Sequence, residues 1–201
     1  MKNSRSATND RGHIYLTGGL EEGLRSSVNT GVRGVASVSN QTFAFSTQTG
    51  YFKQLAPMNV PRYSHGLNSV QNSIYAVSGK TTNNEFTSTC EVYDGIEGHW
   101  VPIANCHYPC SRPLLINYRD QMIFKIGGLY ENGAACKDTE VYYITTDQWK
   151  PINLELFGNL EKAAEDGFNY WPNMGGCQIN HKSMLIFGGH DEFGRAQKQS
   201  F

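Results

Sequence analysis

The sequence predicts an all-β fold of repeated four-stranded antiparallel units, and three observations carry that reading. An apolar strand ending at glycine recurs four times, at residues 14–19, 74–79, 123–128 and 184–189. A strand ending in an aromatic residue, with a second aromatic 7 residues further on, recurs as Phe45 with Phe52, Tyr93 with Trp100, and Tyr142 with Trp149. The spacing is also kept: Gly79 to Tyr93 and Gly128 to Tyr142 are both 14 residues. Four strands joined by short turns, repeating about every 50 residues, are the pattern of a propeller blade.

Composition agrees. The chain has 201 residues, of which 39% are hydrophobic and 17% charged, enough for one domain with a sizeable core. Twenty-one glycines and 12% aromatics suit many short strands and tight turns. A net charge of −1 gives no long-range field to recruit nucleic acid or an anionic membrane. No run of 18 apolar residues predicts a membrane-spanning helix. The first six residues lack the apolar core of a signal peptide, and five cysteines at irregular spacing make an odd set with no disulfide framework. Both features predict a cytoplasmic protein with reduced thiols. The one glycosylation sequon, Asn40-Gln41-Thr42, carries little weight.

The elements follow in order. Residues 1–4 are read as a loose tail. Residues 5–19 form a hairpin turning at 9–12, and the polar, Gly/Ser-rich residues 20–40 are read as a long loop. Strands carrying Phe43 and Phe45, then residues 51–55, complete a first blade over 5–55. The second blade spans 65–103, with a polar loop at 80–88, and the third spans 114–152. Residues 155–173 are an insertion in which 159–165 has helix formers but is short. Residues 175–201 form a partial fourth blade.

The repeated residues have packing roles. Glycines at 18–19, 79, 127–128 and 188–189 let a neighbouring backbone or ring approach closely. The aromatics Phe45, Phe52, Tyr93, Trp100, Tyr142 and Trp149 are expected to fill the space between blades, and truncating one such ring should cost about 3–5 kcal/mol.

Strand–Gly-Gly, then Glu91-Val92-Tyr93-Asp94, then Trp100 resembles the kelch repeat. The fullest copy straddles the first unit, where Phe45, Phe52, Leu55, Met58, Arg62 and His65 fall on the family's Tyr, Trp, Leu, Met, Arg and His. The second unit supplies Tyr93, Asp94, Trp100 and Ile103. The third supplies Tyr142, Trp149 and Ile152. Ser78 replaces one glycine, Phe52 replaces tryptophan, Tyr143 stands where the family often has Asp, and Cys110 takes the Arg position. The resemblance covers about residues 5–194. It implies a kelch-type β-propeller, open or partial, that binds a protein partner through loops at one rim, as a scaffold or adaptor without catalysis. No BTB domain stands before the first blade, which argues against a cullin-ligase adaptor. A few members of the family are enzymes, and the alternative reading is a metal-dependent enzyme resembling the copper-radical oxidases.

Four local patterns bear on reactivity. Residues 78–81 mimic the end of a P-loop, but Ile74 stands where the motif needs glycine, and no convincing helix follows. Cys106-His107-Tyr108-Pro109-Cys110 could supply two or three zinc ligands, yet no matching pair lies nearby in sequence. No local signature ties tyrosine, histidine and cysteine into a radical-copper site. His190-Asp191-Glu192 reads as a solvated loop. No cofactor, metal ligand or catalytic residue is therefore assigned.

Six residues are candidates for partner binding: Arg62, Tyr63, Arg112, Tyr130, Tyr170 and Trp171. Arg62 and Arg112 sit in loops between blades, where an arginine can take an acidic peptide or pair with a blade carboxylate such as Glu91 or Glu140. Tyr170 and Trp171 are either a partner anchor or packing for the insertion, the second being favoured. The expected binding rim joins two loop classes, 20–40, 80–88 and 129–138 with 56–63, 104–112 and 153–175, because binding residues concentrate on loops over a rigid scaffold.

Four copies of the first hairpin but three of the second predict an open arc with unpaired edges and apolar end faces. The chain is then expected to be a fragment of a longer propeller of about six or seven blades or, less favoured, half of a ring completed by a second copy.

Overall fold

The computed structural model describes residues 2–9, 11–21, 37–153, 172–180, 182–190, 195 and 196. Among these residues, three four-stranded sheets and one hairpin follow each other along the chain. The first sheet is β1 (Arg5–Thr8), β2 (His13–Glu21), β3 (Ser37–Ser46) and β4 (Phe52–Leu55). The second is β5 (Gly66–Val70), β6 (Ser73–Val77), β7 (Cys90–Asp94) and β8 (His99–Ile103). The third is β9 (Leu114–Tyr118), β10 (Met122–Ile126), β11 (Thr139–Tyr143) and β12 (Gln148–Ile152). The hairpin is β13 (Met174–Asn180) with β14 (Ser183–Gly188). Within each sheet the strands are antiparallel and in sequence order. This is a partial β-propeller.

Register confirms that the sheets are copies. Ile14 pairs with Phe45 and Phe45 with Phe52 in the first. Ile74, Tyr93 and Trp100 make the same row in the second, and Ile123, Tyr142 and Trp149 in the third. The hairpin turns are closed by short polar side chains. Asn9 Oδ1 accepts from the amides of Arg11 and His13, and Asp94 Oδ1 from those of Ile96 and Glu97.

Apolar burial lies between the sheets, as blade wedges require. One cluster joins Tyr15 and Ala44 of the first sheet to Ile74, Ala76, Tyr93 and Trp100 of the second. Another joins Tyr75, Val77 and Cys90 to Leu115, Ile123, Tyr142 and Trp149. A third joins Ile116, Phe124 and Val141 to Met174 and Ile186 of the last hairpin. The indole of Trp100 reaches back to the preceding sheet, donating to Thr42 Oγ1 at 3.1 Å and Ala56 O at 3.0 Å, and Trp149 donates to Ala104 O at 2.9 Å.

Two expectations are corrected. Phe52 does not fill an inter-blade space: it is 65% exposed. It holds the position of Trp100, but among the described residues no sheet covers it, and Ile14 in the same row is exposed as well. The region read as a loop over 20–40 is in part strand, because β2 runs past its two glycines to Glu21 and pairs with Ser37. A register shift between Thr17 and Gly19 lets the ladder continue beyond the glycines. The loop at 80–88 also holds one 3-10 turn, Thr82–Asn84.

The inner strands β1, β5, β9 and β13 are neighbours around a central cavity of about 520 Å³, which Ala7, Leu67, Leu115 and Gly176 help to line. Arg5 Nη2 donates to Asn173 Oδ1 at 3.4 Å, linking the first inner strand to the segment that starts the last.

Candidate functional site

A four-stranded antiparallel meander puts the start of its first strand, the end of its second, the start of its third and the end of its fourth at one edge. The loops within β2–β3, β6–β7 and β10–β11 therefore leave on the same face as the connections β4–β5, β8–β9 and β12–β13. Backbone pairing ties the two loop classes together. Tyr63 and Lys80 exchange hydrogen bonds of 2.8 and 2.9 Å, and Ser111 and Leu129 do the same at 2.9 and 2.8 Å. Neighbouring connections are tied in turn: Ser64 N donates to Asn3 O at 3.0 Å, and Arg112 N to Ser64 O at 2.6 Å.

The double glycines sit at this face, where each blade receives the next. Gly18 has φ +56°, and a Cβ there would come within 2.2 Å of Arg62 O, so only glycine fits. Ser78 takes the equivalent place in the second blade with φ 58°. Its hydroxyl lies 2.9 Å from Thr87 O and Cys110 O, which share its one proton, and accepts from Cys110 N at 2.8 Å, offsetting the strain. The substitution thus adds a side-chain bridge from blade two to blade three.

Beneath the face lie two buried ion pairs. Arg62 has no exposed surface. Its Nη2 lies 2.8 Å from Glu91 Oε1, and its remaining bonds go to Ser78 O, Thr89 O and Thr89 Oγ1 at 2.7–3.0 Å. Glu91 also accepts from the amides of Asn59 and Val60, so the pair fixes the β4–β5 connection. Glu140 is its counterpart in blade three, and there the cation is Lys125 of β10, 2.8 Å away. Glu140 accepts from the His107 amide at 2.8 Å and lies 2.7 Å from His107 Nδ1. Burial alone would raise the Glu140 pKa, but the Lys125 ammonium and the His107 amide outweigh it and hold it below its usual value. His65 is wholly buried, with Nε2 2.7 Å from Thr17 Oγ1. Burial, and then the charges of Arg62 and Arg5, push its pKa well below 6.5, so the ring is neutral at pH 7.

Three cations, Arg5, Lys80 and Arg112, lie near one another at this face, with the Glu131 carboxylate beside Lys80. Arg112 is half-buried with φ 59°. Among the described residues its guanidinium has no hydrogen-bond or ion-pair partner. It lies close enough to Arg5 and Lys80 to join burial in lowering the pKa of both. Lys80 Nζ reaches Asn84 Oδ1 at 2.9 Å and stands over the Phe86 ring. Tyr63 is buried to 9% exposure and donates its hydroxyl to Asn84 Oδ1 at 2.6 Å. Tyr130, half-buried, donates to the Asp138 carboxylate. Tyr63, Arg112 and Tyr130 are thus brought onto one face, flanking the two backbone bridges. Tyr170 and Trp171 lie outside the described residues, as does most of the insertion.

Sequence reasoning missed Lys80, set aside with the P-loop mimic, and Arg5, read as the start of a strand. A signal existed for Lys80: it directly follows the second residue of its blade's double-glycine position, where the chain turns onto the loop face. The zinc reading of 106–110 meets a different arrangement. His107 pairs with Glu140, while Cys106 and Cys110 each lie beside another thiol. Among the described residues no three of His, Cys, Asp and Glu are grouped as a metal ion would need. Tyr93 packs edge-on against Trp100 and Tyr142 at a tilt against Trp149, with ring centroids 5.6 and 5.0 Å apart.

Repeated four-stranded blades, a Gly-Gly or Ser-Gly pair at each join and a buried arginine–glutamate pair define a class of propeller, and comparison with known proteins shows what it is similar to. The Kelch motif family matches residues 61–107. A putative F-box/kelch-repeat protein of Arabidopsis thaliana is 28% identical over 146 residues, 73% of this chain and 39% of that protein. Kelch-like protein 38 of Homo sapiens is 25% identical over 147 residues, 73% of this chain and 24% of that protein. The solved structure of YjhT superposes with a TM-score of 0.69 at 14% identity, covering 98% of this chain and 80% of that one. The chain carries a Kelch motif and is similar to kelch-repeat proteins over most of its length, and it spans well under half the length of these curated relatives.

Proposed function

We propose that this chain is a non-enzymatic protein-interaction module whose recognition face is the one carrying Tyr63, Lys80, Arg112 and Tyr130, and that it takes an acidic segment of a partner protein. The observation that carries the reading is Arg112: a half-buried guanidinium without a partner among the described residues, beside two further cations. An arginine so placed is ready for a bidentate carboxylate, and its desolvated surroundings strengthen that bond. Arg62, although in the same loop class, has no surface to offer and acts through the backbone it holds. The kelch-repeat relatives, an F-box/kelch-repeat protein and a Kelch-like protein among them, support an interaction role.

The test is selection from a displayed random-peptide library on the immobilised chain. Recovered peptides should be enriched in Asp and Glu, and Arg112→Glu should abolish their binding while leaving the thermal melt unchanged. Recovery of neutral or basic peptides that bind both proteins equally would overturn the reading.

A further inference from the structure

The β8–β9 connection, residues 104–113, carries Cys106 near one end and Cys110 near the other. Each points its thiol at a different neighbour. Cys106 packs with Cys90 of β7 in the core between blades two and three. The Cys106 amide and the Cys90 thiol both donate to Ser88 O, at 3.0 and 3.4 Å, which holds the two residues side by side. Cys110 and Cys136 meet at the double glycine of blade three. The Cys110 thiol donates to Gly127 O at 3.6 Å, and the Cys136 amide to Gly128 O at 2.9 Å. A Cβ on Gly128 would stand 3.3 Å from Cys110 Sγ. In each pair the two thiols are close enough to shift each other's titration, while each donates its proton to a backbone carbonyl. All four are buried and unbridged, whereas Cys177 is exposed and alone.

We propose that these two dithiols are a redox-modification site, closing as Cys90–Cys106 and Cys110–Cys136 to staple the connection to blade two at one end and to blade three at the other. The oxidant class is a small-molecule disulfide. One protein thiolate attacks a sulfur of that disulfide and expels one thiolate product. The second protein thiolate then attacks the resulting mixed disulfide and expels the other. Each closure forms one protein S–S bond, releases two small thiols and leaves the protein two hydrogens lighter.

The pairs are asymmetric in the way such exchange requires. The neighbouring Cys110 thiol holds the Cys136 thiol at about 7, while Cys136 and burial push Cys110 up. Cys136 is therefore the attacking group and Cys110 the resolving one. Cys106 is lowered by Cys90 in the same manner, and burial pushes Cys90 up. The Lys125 ammonium acts on both lowered thiols and favours their thiolates. Cys136 lies in the β10–β11 loop, whose tip at 131–134 is exposed, so local opening of that loop gives the oxidant access.

The experiment uses the folded full chain. It is incubated with oxidised glutathione, denatured, alkylated and mapped by peptide mass spectrometry. The expected result is Cys90–Cys106 and Cys110–Cys136 linkages, with Cys177 alkylated or carrying glutathione, reversal by dithiothreitol and a raised melting midpoint. Cys136→Ser should lose its own bridge and keep Cys90–Cys106. Five alkylated cysteines, stable glutathione adducts without bridges, or a Cys106–Cys110 linkage would each overturn the proposal.

Discussion

Lys125 Nζ lies 2.8 Å from Glu140 Oε2, both side chains fully buried, where blade two instead holds Arg62 Nη2 2.8 Å from Glu91 Oε1. The carboxylate keeps its place in the repeat and the cation changes its origin. In blade two it comes from the connection, and Ala76 stands opposite Glu91 on β6. In blade three the connection offers Cys110, and Lys125 stands opposite Glu140 on β10. Lys125→Met should strand a buried carboxylate and destabilise the chain by about 3–5 kcal/mol in urea denaturation. Rebuilding blade two's arrangement with Cys110→Arg and Lys125→Ala together should recover more than half of that loss. Equal loss in the double variant would show that the two pairs are not interchangeable.

Ser78 predicts an inverted order of substitution. Ser78→Ala keeps a Cβ at φ 58° and loses the bridge to Cys110, whereas Ser78→Gly loses the bridge but relieves the backbone. The alanine variant should be the less stable of the two by about 1 kcal/mol. Differential scanning calorimetry of both variants checks the order.

Two equivalent ring positions should respond very unequally. Trp100 is 4% exposed and anchored on the first blade, so Trp100→Ala should cost about 3–5 kcal/mol. Phe52 is 65% exposed, and Phe52→Ser should change stability by no more than about 0.5 kcal/mol. Chemical denaturation of the two variants side by side reads the difference.

Much of this fold was legible because its repeat is spelled in residues with one physical task each. Strand order, register and the burial of Trp100 and Trp149 follow from glycine and aromatic spacing. Phe52 shows the limit: the motif identifies a blade position but not whether a neighbouring blade covers it. The site was less legible. Arg62 and Arg112 look alike in sequence, both in connections between blades, yet one is consumed by Glu91 and the other is unpaired among the described residues. The Arg62 register position is taken by Cys110, and Arg112 occupies the place of Ser64, which local sequence does not announce. Lys125 sits in an apolar strand, where only its register against Glu140 reveals its role.

His65 makes stability pH-dependent in the mildly acidic range. In the folded chain its ring stays neutral well below 6.5, while the unfolded chain takes up the proton near that value. The unfolded state then binds more protons, so stability falls as pH drops below about 6.5, by up to about 1.4 kcal/mol per pH unit. Glu140, depressed in the fold, adds a further loss as pH falls below its ordinary 4.5. Denaturation midpoints should decline between pH 6.5 and 5 in the native chain, and His65→Gln should flatten that limb while keeping the lower one.

Amide shift mapping with an acidic peptide recovered from the library tests the recognition face most directly. The isotope-labelled chain is titrated and each amide followed. The account predicts that shifts concentrate at Tyr63, Lys80, Arg112 and Tyr130 and are absent from the opposite-face turns at 71–72, 95–98, 119–121 and 144–147. Shifts confined to those turns, with Arg112 and Lys80 unmoved, would contradict it.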